Sequence, residues 1–313
     1  MVSRALSFSN EVKNELARIE PQKACCDRAE LYGLLRMSGA IVISGRGTGI
    51  HFSTENAALA RRMLQLLKSN FELKTEVVIT RSRRLKKNNR YQVRVLSTPE
   101  VATVLEELQL LADVEAGRNK LLAAGCCRRS FLRGVFMAGG SVSRPASDYH
   151  LELVTESYDF AELIKNMMQS FALPVKMTDR KKEFIVYLKE GNAITSFLSV
   201  IGAHNALMEF ENVRIIKEMR NNVNRIVNCE TANLNKTVQA AVHQIESIKY
   251  IEEISGLASL PPVLRETAEL RLSYPEASLS ELADMASGRI GKSGINHRLK
   301  KLEQMAKDLG MGD

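Results

Sequence analysis

Nothing in the sequence is apolar for long enough to cross a membrane, which takes roughly 18 residues. The best candidate, Ala193–Gly202, is short and carries Thr195, Ser196 and Ser199. The first residues, MVSRALSFSNEVKNEL, turn polar and acidic before a signal-peptide core could form, so a cytoplasmic protein without a membrane partner is expected. Cysteine is scarce and odd in number, at Cys25, Cys26, Cys126, Cys127 and Cys229, which argues against a secreted disulfide framework. Proline and glycine are too few, and Leu, Ile and Val too many, for a disordered chain. The histidines His51, His150, His204, His243 and His297 are scattered, with no H-E-x-x-H cluster, and spacing offers no Ser-His-Asp or Cys-His constellation.

Acidic residues are the minority as well, 36 against 44 basic, for a formal charge of +8. The imbalance is local. Residues 1–203 hold 30 basic and 21 acidic side chains, whereas 204–313 hold 14 and 15. A basic surface concentrates polyanions, nucleic acid foremost. The 313 residues exceed what one core usually serves, and a domain of about 200 residues with another of about 70 would fit.

What is present is a repeat, at an offset of 101 residues. Cys25 and Cys26 align with Cys126 and Cys127, Leu31 with Leu132, Gly33 with Gly134, Gly39 with Gly140, Thr54 with Thr155, Glu55 with Glu156 and Ala60 with Ala161. The register runs without a gap to Ser69 and Ser170. Hydrophobic periodicity predicts, in copy one, a helix over Arg28–Met37, strands Ala40–Ser44 and Gly49–Ser53, a helix over Asn56–Asn70, strands Glu76–Thr80 and Arg90–Val95, and a helix over Pro99–Leu110. Copy two repeats the order: helix Arg129–Met137, strands Ser141–Ser143 and His150–Val154, helix Ser157–Ala172, strands Val175–Thr178 and Glu183–Leu188, helix Asn192–Ile201. Each copy is αββαββα. One helix of each would meet across a pseudo-two-fold axis, where Gly33 and Gly134 let backbones approach and Gly39 and Gly140 could end the helices with positive φ.

The segments Leu31-Tyr-Gly-Leu-Leu-Arg-Met-Ser-Gly39 and Leu132-Arg-Gly-Val-Phe-Met-Ala-Gly-Gly140 resemble LAGLIDADG motifs, the interface helices of monomeric homing endonucleases. In that family an acid just before the final glycine holds the divalent metal that activates water. Here Ser38 and Gly139 occupy those positions, and neither supplies a hard cation with a carboxylate. Glu55, Asp148, Glu152 and Glu156 are the nearby acids, none at a motif end; Thr54 and Thr155 read as N-caps with Glu55 and Glu156 in the first turn. No catalytic residue is assigned. The whole chain is similar to the WhiA family of bacterial transcription regulators. The similarity rests on Ser7-Phe-Ser-Asn-Glu-Val-Lys-Asn-Glu-Leu16, the Cys-Cys pairs, the degenerate motif helices and the Asn-rich stretch 220–233. The resemblance implies an α+β fold, a duplicated LAGLIDADG-like saddle followed by an all-α helix-turn-helix domain, acting in sporulation, cell division or chromosome organisation. The expected organisation is an N-terminal helical segment over 1–24, the saddle over 25–215 with repeats of about 25–120 and 126–215, an Asn-rich linker over 216–240 and the helix-turn-helix domain over 241–313.

Two groups of residues are candidates for holding double-stranded DNA. Arg81, Arg83, Arg84, Lys86, Lys87, Arg90 and Arg94 occupy a predicted hairpin with no acid among them, suited to following phosphates. The matching loop Asp179-Arg-Lys-Lys-Glu183 is shorter and partly neutralised. Further on, helices are expected over Pro262–Arg271, Ser280–Ala286 (capped by Ser278 or Ser280) and Ser293–Met305, closed by Leu279, Leu282, Ala283, Ile295, Leu299 and Leu302. The third helix and its approach carry Arg289, Lys292, Ser293, Asn296, His297, Arg298, Lys300 and Lys301, with no acid from Arg289 to Leu302. Asn and Arg can read base edges while Lys and Ser hold phosphates.

Ala286–Ser293 approximates a phosphate-binding loop, but no buried strand precedes it. The Cys-Cys pairs lack C-x-x-C spacing and read as buried small residues, unless the pseudo-two-fold axis brings them together, when a metal or redox site becomes available. No cofactor or metal is expected. The reading is a DNA-binding transcription regulator on the nucleoid without nuclease activity, with another regulator or RNA polymerase as candidate protein partner. The alternatives are a nucleoid-associated or scaffold protein of weak sequence preference and a residual LAGLIDADG endonuclease.

Overall fold

The computed structural model describes residues 7–20, 23–44, 47–71, 73–81, 89–96, 99–110, 115–288 and 290–311. They form two compact units, Met1–Glu218 and Met219–Asp313.

In the first unit α1 (Phe8–Leu16) precedes two copies of one pattern. Copy one is α2 (Ala24–Ser38), β1 (Gly39–Ser44), β2 (Gly47–Thr54), α3 (Ala57–Phe71), β3 (Thr75–Arg81), β4 (Asn89–Val95) and α4 (Pro99–Glu107). After α5 (Glu115–Leu121), a short helix that periodicity did not announce, copy two runs α6 (Gly125–Gly139), β5 (Gly140–Val142), β6 (Leu151–Thr155), α7 (Tyr158–Gln169), β7 (Lys176–Arg180), β8 (Glu183–Leu188) and α8 (Gly191–Ile201). The sheets are antiparallel and wound alike, β1-β2-β4-β3 and β5-β6-β8-β7. Alternation explains which face each sheet buries: Ile50, Phe52, Val93 and Val95 point into the core, as do Leu151, Leu153, Val186 and Leu188.

The helices α2 and α6 lie against each other through their glycines. A Cβ on Gly33 would stand 2.6 Å from the Phe131 carbonyl oxygen, and one on Gly134 would strike the Glu30 carbonyl. The other two glycines depart from expectation. Gly39 has φ −86° and Gly140 φ −83°, both extended. Their smallness is needed because a Cβ would press on the Leu35 and Phe136 carbonyl oxygens of the preceding turn. The N-caps depart too. Asn56 Oδ1 accepts from the N–H groups of Ala58 and Leu59, and Ser157 Oγ from that of Phe160. Thr54 and Thr155 each accept from the N–H two residues on, shaping the approach, so Glu55 and Glu156 precede the caps rather than fill the first turn.

The helix α9 (His204–Ser255) is 52 residues long and continuous through residues 216–240, the stretch read as a linker. The second unit continues with α10 (Pro262–Ser273), α11 (Leu279–Met285) and α12 (Lys292–Asp308). Its core joins Ile248 and Ile251 to Leu264, Ala268, Leu282, Ala283, Ile295, Leu299 and Leu302, with Leu279 half-buried beside them. A capping box starts α11: Ser278 Oγ accepts from the Glu281 N–H, and the Ser278 N–H donates to Glu281 Oε2. No helix among the described residues is long and apolar enough to cross a membrane.

Candidate nucleic-acid interface

The basic face of α12 is built by period. Ile295, Leu299, Leu302 and Ala306 go inward, which leaves Lys292, Ser293, His297, Lys300 and Lys301 exposed and Asn296 half-buried at the edge. The helix opens on Gly291, with no side-chain cap over its first N–H groups. Arg289 lies outside the described residues. Arg298 belongs to a different group. Its guanidinium turns towards α10, with Nη1 3.4 Å from Thr267 Oγ1 and 3.6 Å from Glu266 Oε2. The helical period points position 298 partly at the core, so a pattern of charges alone could not separate it from its solvent-facing neighbours.

Glu266 is the residue that sequence reasoning missed. Its Oε1 accepts from the Ser287 N–H at 2.6 Å, and Ser287 holds its carboxyl below the usual carboxylate range. Through Ser287 and Arg298 it ties both the residue after the α11 C-cap and α12 to α10. Buried Arg271 does the same before α11, donating to the carbonyl oxygens of Pro275 and Ala277. Only the structure shows these partners.

In the first unit Arg81 and Arg90 are exposed at the β3 and β4 ends of their hairpin. Arg94 shares the open face of β4 and donates twice to Gln92 Oε1, at 2.9 and 2.6 Å. Arg83, Arg84, Lys86 and Lys87 lie outside the described residues. The corresponding face of the second sheet is more self-contained, with Glu152 accepting from Ser141 Oγ and lying 3.2 Å from His150 Nε2.

Ser38 and Gly139 are the last residues of α2 and α6, and the Ser38 hydroxyl donates to the Ala138 carbonyl oxygen at 3.4 Å. Beside them opens a cavity of about 710 Å³ lined by Lys13, Arg18, Arg61, Asn56, Tyr91 and Met137, with Glu55 the one carboxylate among the described residues that line it. Burial pushes Lys13 down to about 8. Asp148 offers its carbonyl to the Ser143 hydroxyl. Among the described residues, the one group of three or more His, Cys, Asp or Glu side chains close enough to share a metal ion is at the opposite ends of these helices: Cys25, Cys26, Cys126 and Cys127, whose Sγ atoms lie within 4.8 Å of one another. The expectation that these pairs are merely small buried residues therefore needs correcting, because the pseudo-two-fold axis does bring them together. Cys26 and Cys127 are buried, while Cys25 and Cys126 are exposed. Burial, and then a hydrogen bond with Cys126, push Cys26 up to about 11; burial raises Cys127 too; the bond with Cys26 lowers Cys126.

A duplicated αββαββα unit carrying motif helices without their acids, with a compact helical unit of helix-turn-helix type after it, defines a class of LAGLIDADG-derived proteins. Within that class the chain belongs to the WhiA family. It matches the WhiA N-terminal LAGLIDADG-like domain over 24–111, the WhiA LAGLIDADG-like domain over 128–220 and the WhiA C-terminal HTH domain over 223–306. It is 49% identical over 307 residues to a protein of Heliobacterium modesticaldum named probable cell division protein WhiA, covering 96% of each chain. A protein of the same name from Oceanobacillus iheyensis is 48% identical over 314 residues, covering 98% of this chain and 99% of that one. The crystal structure of full-length DUF199/WhiA from Thermatoga maritima superposes with a TM-score of 0.62 at 27% identity, over 98% of this chain and 100% of that one.

Proposed function

We propose that this protein is a DNA-binding transcription regulator of the bacterial cell-division programme, without nuclease activity. The observation that carries the reading is α12: five exposed basic or hydroxyl side chains and Asn296 on one face, an uncapped helix start, and no acid before Glu303. A helix of that composition fits the major groove, with Asn296 and His297 at base edges and Lys292, Ser293, Lys300 and Lys301 at phosphates. Arg298 and Glu266 position the helix instead of touching DNA. Arg81, Arg90 and Arg94 would add phosphate affinity from the first unit, so that each unit alone binds more weakly than both together. The cell-division assignment is supported by the names of the full-length relatives.

Gel-shift titration of promoter fragments tests this. Lys292→Ala/Lys300→Ala is expected to weaken binding on all sequences and flatten its salt dependence by about two phosphate contacts, whereas Asn296→Ala should relax sequence preference. Equal affinity of parent and double variant removes the assignment. For the missing chemistry, supercoiled plasmid with Mg²⁺ or Mn²⁺ is expected to stay uncut. The absence of carboxylates at both motif ends supports that expectation, since a hard cation needs charged oxygen ligands. Genome-wide occupancy in sharp peaks is the expected pattern; uniform coverage would favour a nucleoid-architecture role.

A further inference from the structure

The proposed DNA-binding role makes no use of the four clustered cysteines. Cys25 and Cys26 are the second and third residues of α2, and Cys126 and Cys127 hold the same places in α6. They are exchanged by the same 101-residue offset as the rest of the repeat, so every sulfur has a counterpart. Adjacent cysteines in one helix turn diverge, and one pair alone would make no site. Two pairs entering from two helices do. Hydrogen bonds cross between the copies, Cys26 with Cys126 and Cys127 with Cys25.

We propose that Cys25, Cys26, Cys126 and Cys127 form a tetrathiolate site for a Zn²⁺-like divalent cation, which staples the two copies at the starts of α2 and α6. Four sulfurs and no oxygen or nitrogen donor is the set that a closed structural zinc site uses. Zinc–sulfur bonds of about 2.3 Å imply sulfurs about 3.8 Å apart, so a group already within 4.8 Å needs to contract by about 1 Å at most. The surroundings suit the charge. Neither helix has a side-chain N-cap bond, and the cysteines sit in the first turns, where the positive ends of the helix dipoles favour thiolate. Buried Cys26 and Cys127 anchor the site, and exposed Cys25 and Cys126 leave an entry path. Binding forms four metal–sulfur bonds and releases up to four thiol protons to solvent, without oxidation or reduction.

The experiment uses the full chain, reduced and stripped by chelator, with Co²⁺ as probe. One ion per chain is expected, with the near-ultraviolet thiolate charge transfer and strong visible bands of a tetrahedral sulfur site, displaced by Zn²⁺. Cys25→Ser and Cys126→Ser keep the side-chain volume at exposed positions. Each should lose charge-transfer intensity and weaken binding by more than about 100-fold, the upper range for losing a merely supporting contact. Cys229→Ser, on α9 and outside the cluster, should bind like the parent. Circular dichroism of the metal-free variants checks that the fold persists. A folded, reduced parent that takes up no Co²⁺ overturns the proposal, as does uptake that those serines leave unchanged. Recovery of Cys25–Cys127 and Cys26–Cys126 disulfides, with no metal affinity after reduction, would replace it with a redox pair.

Discussion

The two copies of the repeat share every element and differ where they meet. Copy one contributes Glu30 and Arg62, whose counterparts in copy two are Phe131 and Leu163; copy two contributes Arg133, whose counterpart is Tyr32. Arg62 binds both Glu30 oxygens at 2.7 and 3.1 Å, Arg133 reaches Glu30 Oε2 at 3.2 Å, and Arg62 Nη1 and Arg133 Nε donate to the carbonyl oxygens of Ile19 and Ile201. The opposite positions are aromatic, with Tyr32 stacked on Phe131 at 5.6 Å and Phe160 edge-on to both. A duplicated fold thus keeps its backbone while one half of the seam becomes ionic and the other apolar. Two copies of half one would lack Arg133, and two copies of half two would bury guanidiniums with no acid. The contrast teaches that the seam now requires both halves in one chain.

The sharpest way to break that seam is Glu30→Gln, which leaves two buried guanidiniums short of their anion. It should cost about 3–5 kcal/mol in urea unfolding, and Arg62→Leu, which copies Leu163, should cost less because Arg133 still faces Glu30. Equal losses would mean that the pair is not shared as drawn. Next in size is Gly134→Ala, expected to lose about 1–3 kcal/mol because the opposing atom is backbone and cannot step aside. Gly125→Ala, in the same helix where an added Cβ meets nothing within 4 Å, should be neutral or slightly stabilising. The smallest contrast lies in the caps. Ser157→Ala should cost about 1 kcal/mol, and Asn56→Ala somewhat more, since Asn56 also donates to Asn14 Oδ1 at 2.9 Å; thermal melts of the two variants give the order.

Much of the fold was legible because repetition doubles each signal. Paired glycines and period-2 alternation placed the strands within a residue or two, and the period of Ile295, Leu299 and Leu302 separated the buried face of α12 from its exposed basic one. Interactions between distant residues were not legible. Glu30 and Arg62 are 32 positions apart, Glu30 and Arg133 103, and no local pattern marks them. The caps slipped by two residues because Thr and Asn are both competent cappers and only backbone geometry chooses between them. The Asn-rich stretch in α9 reads as linker because Asn has modest helix propensity, yet the residues around it carry the helix through. Arg298 shows the same limit within the candidate site, since a cation among cations does not declare which way it faces.

The first helix carries a further consequence. Ser9 donates to the Val142 carbonyl oxygen and accepts from the Val142 N–H, Asn14 accepts from Asn56, and the Glu15 carboxylate accepts from the N–H groups of Asn205 and Ala206. The partners of these residues are 133, 42 and 190 positions along the chain. The helix α1 is therefore finished only by residues near the far end of its unit. A proteolytic clip within α1 would disturb both copies and the start of α9 together.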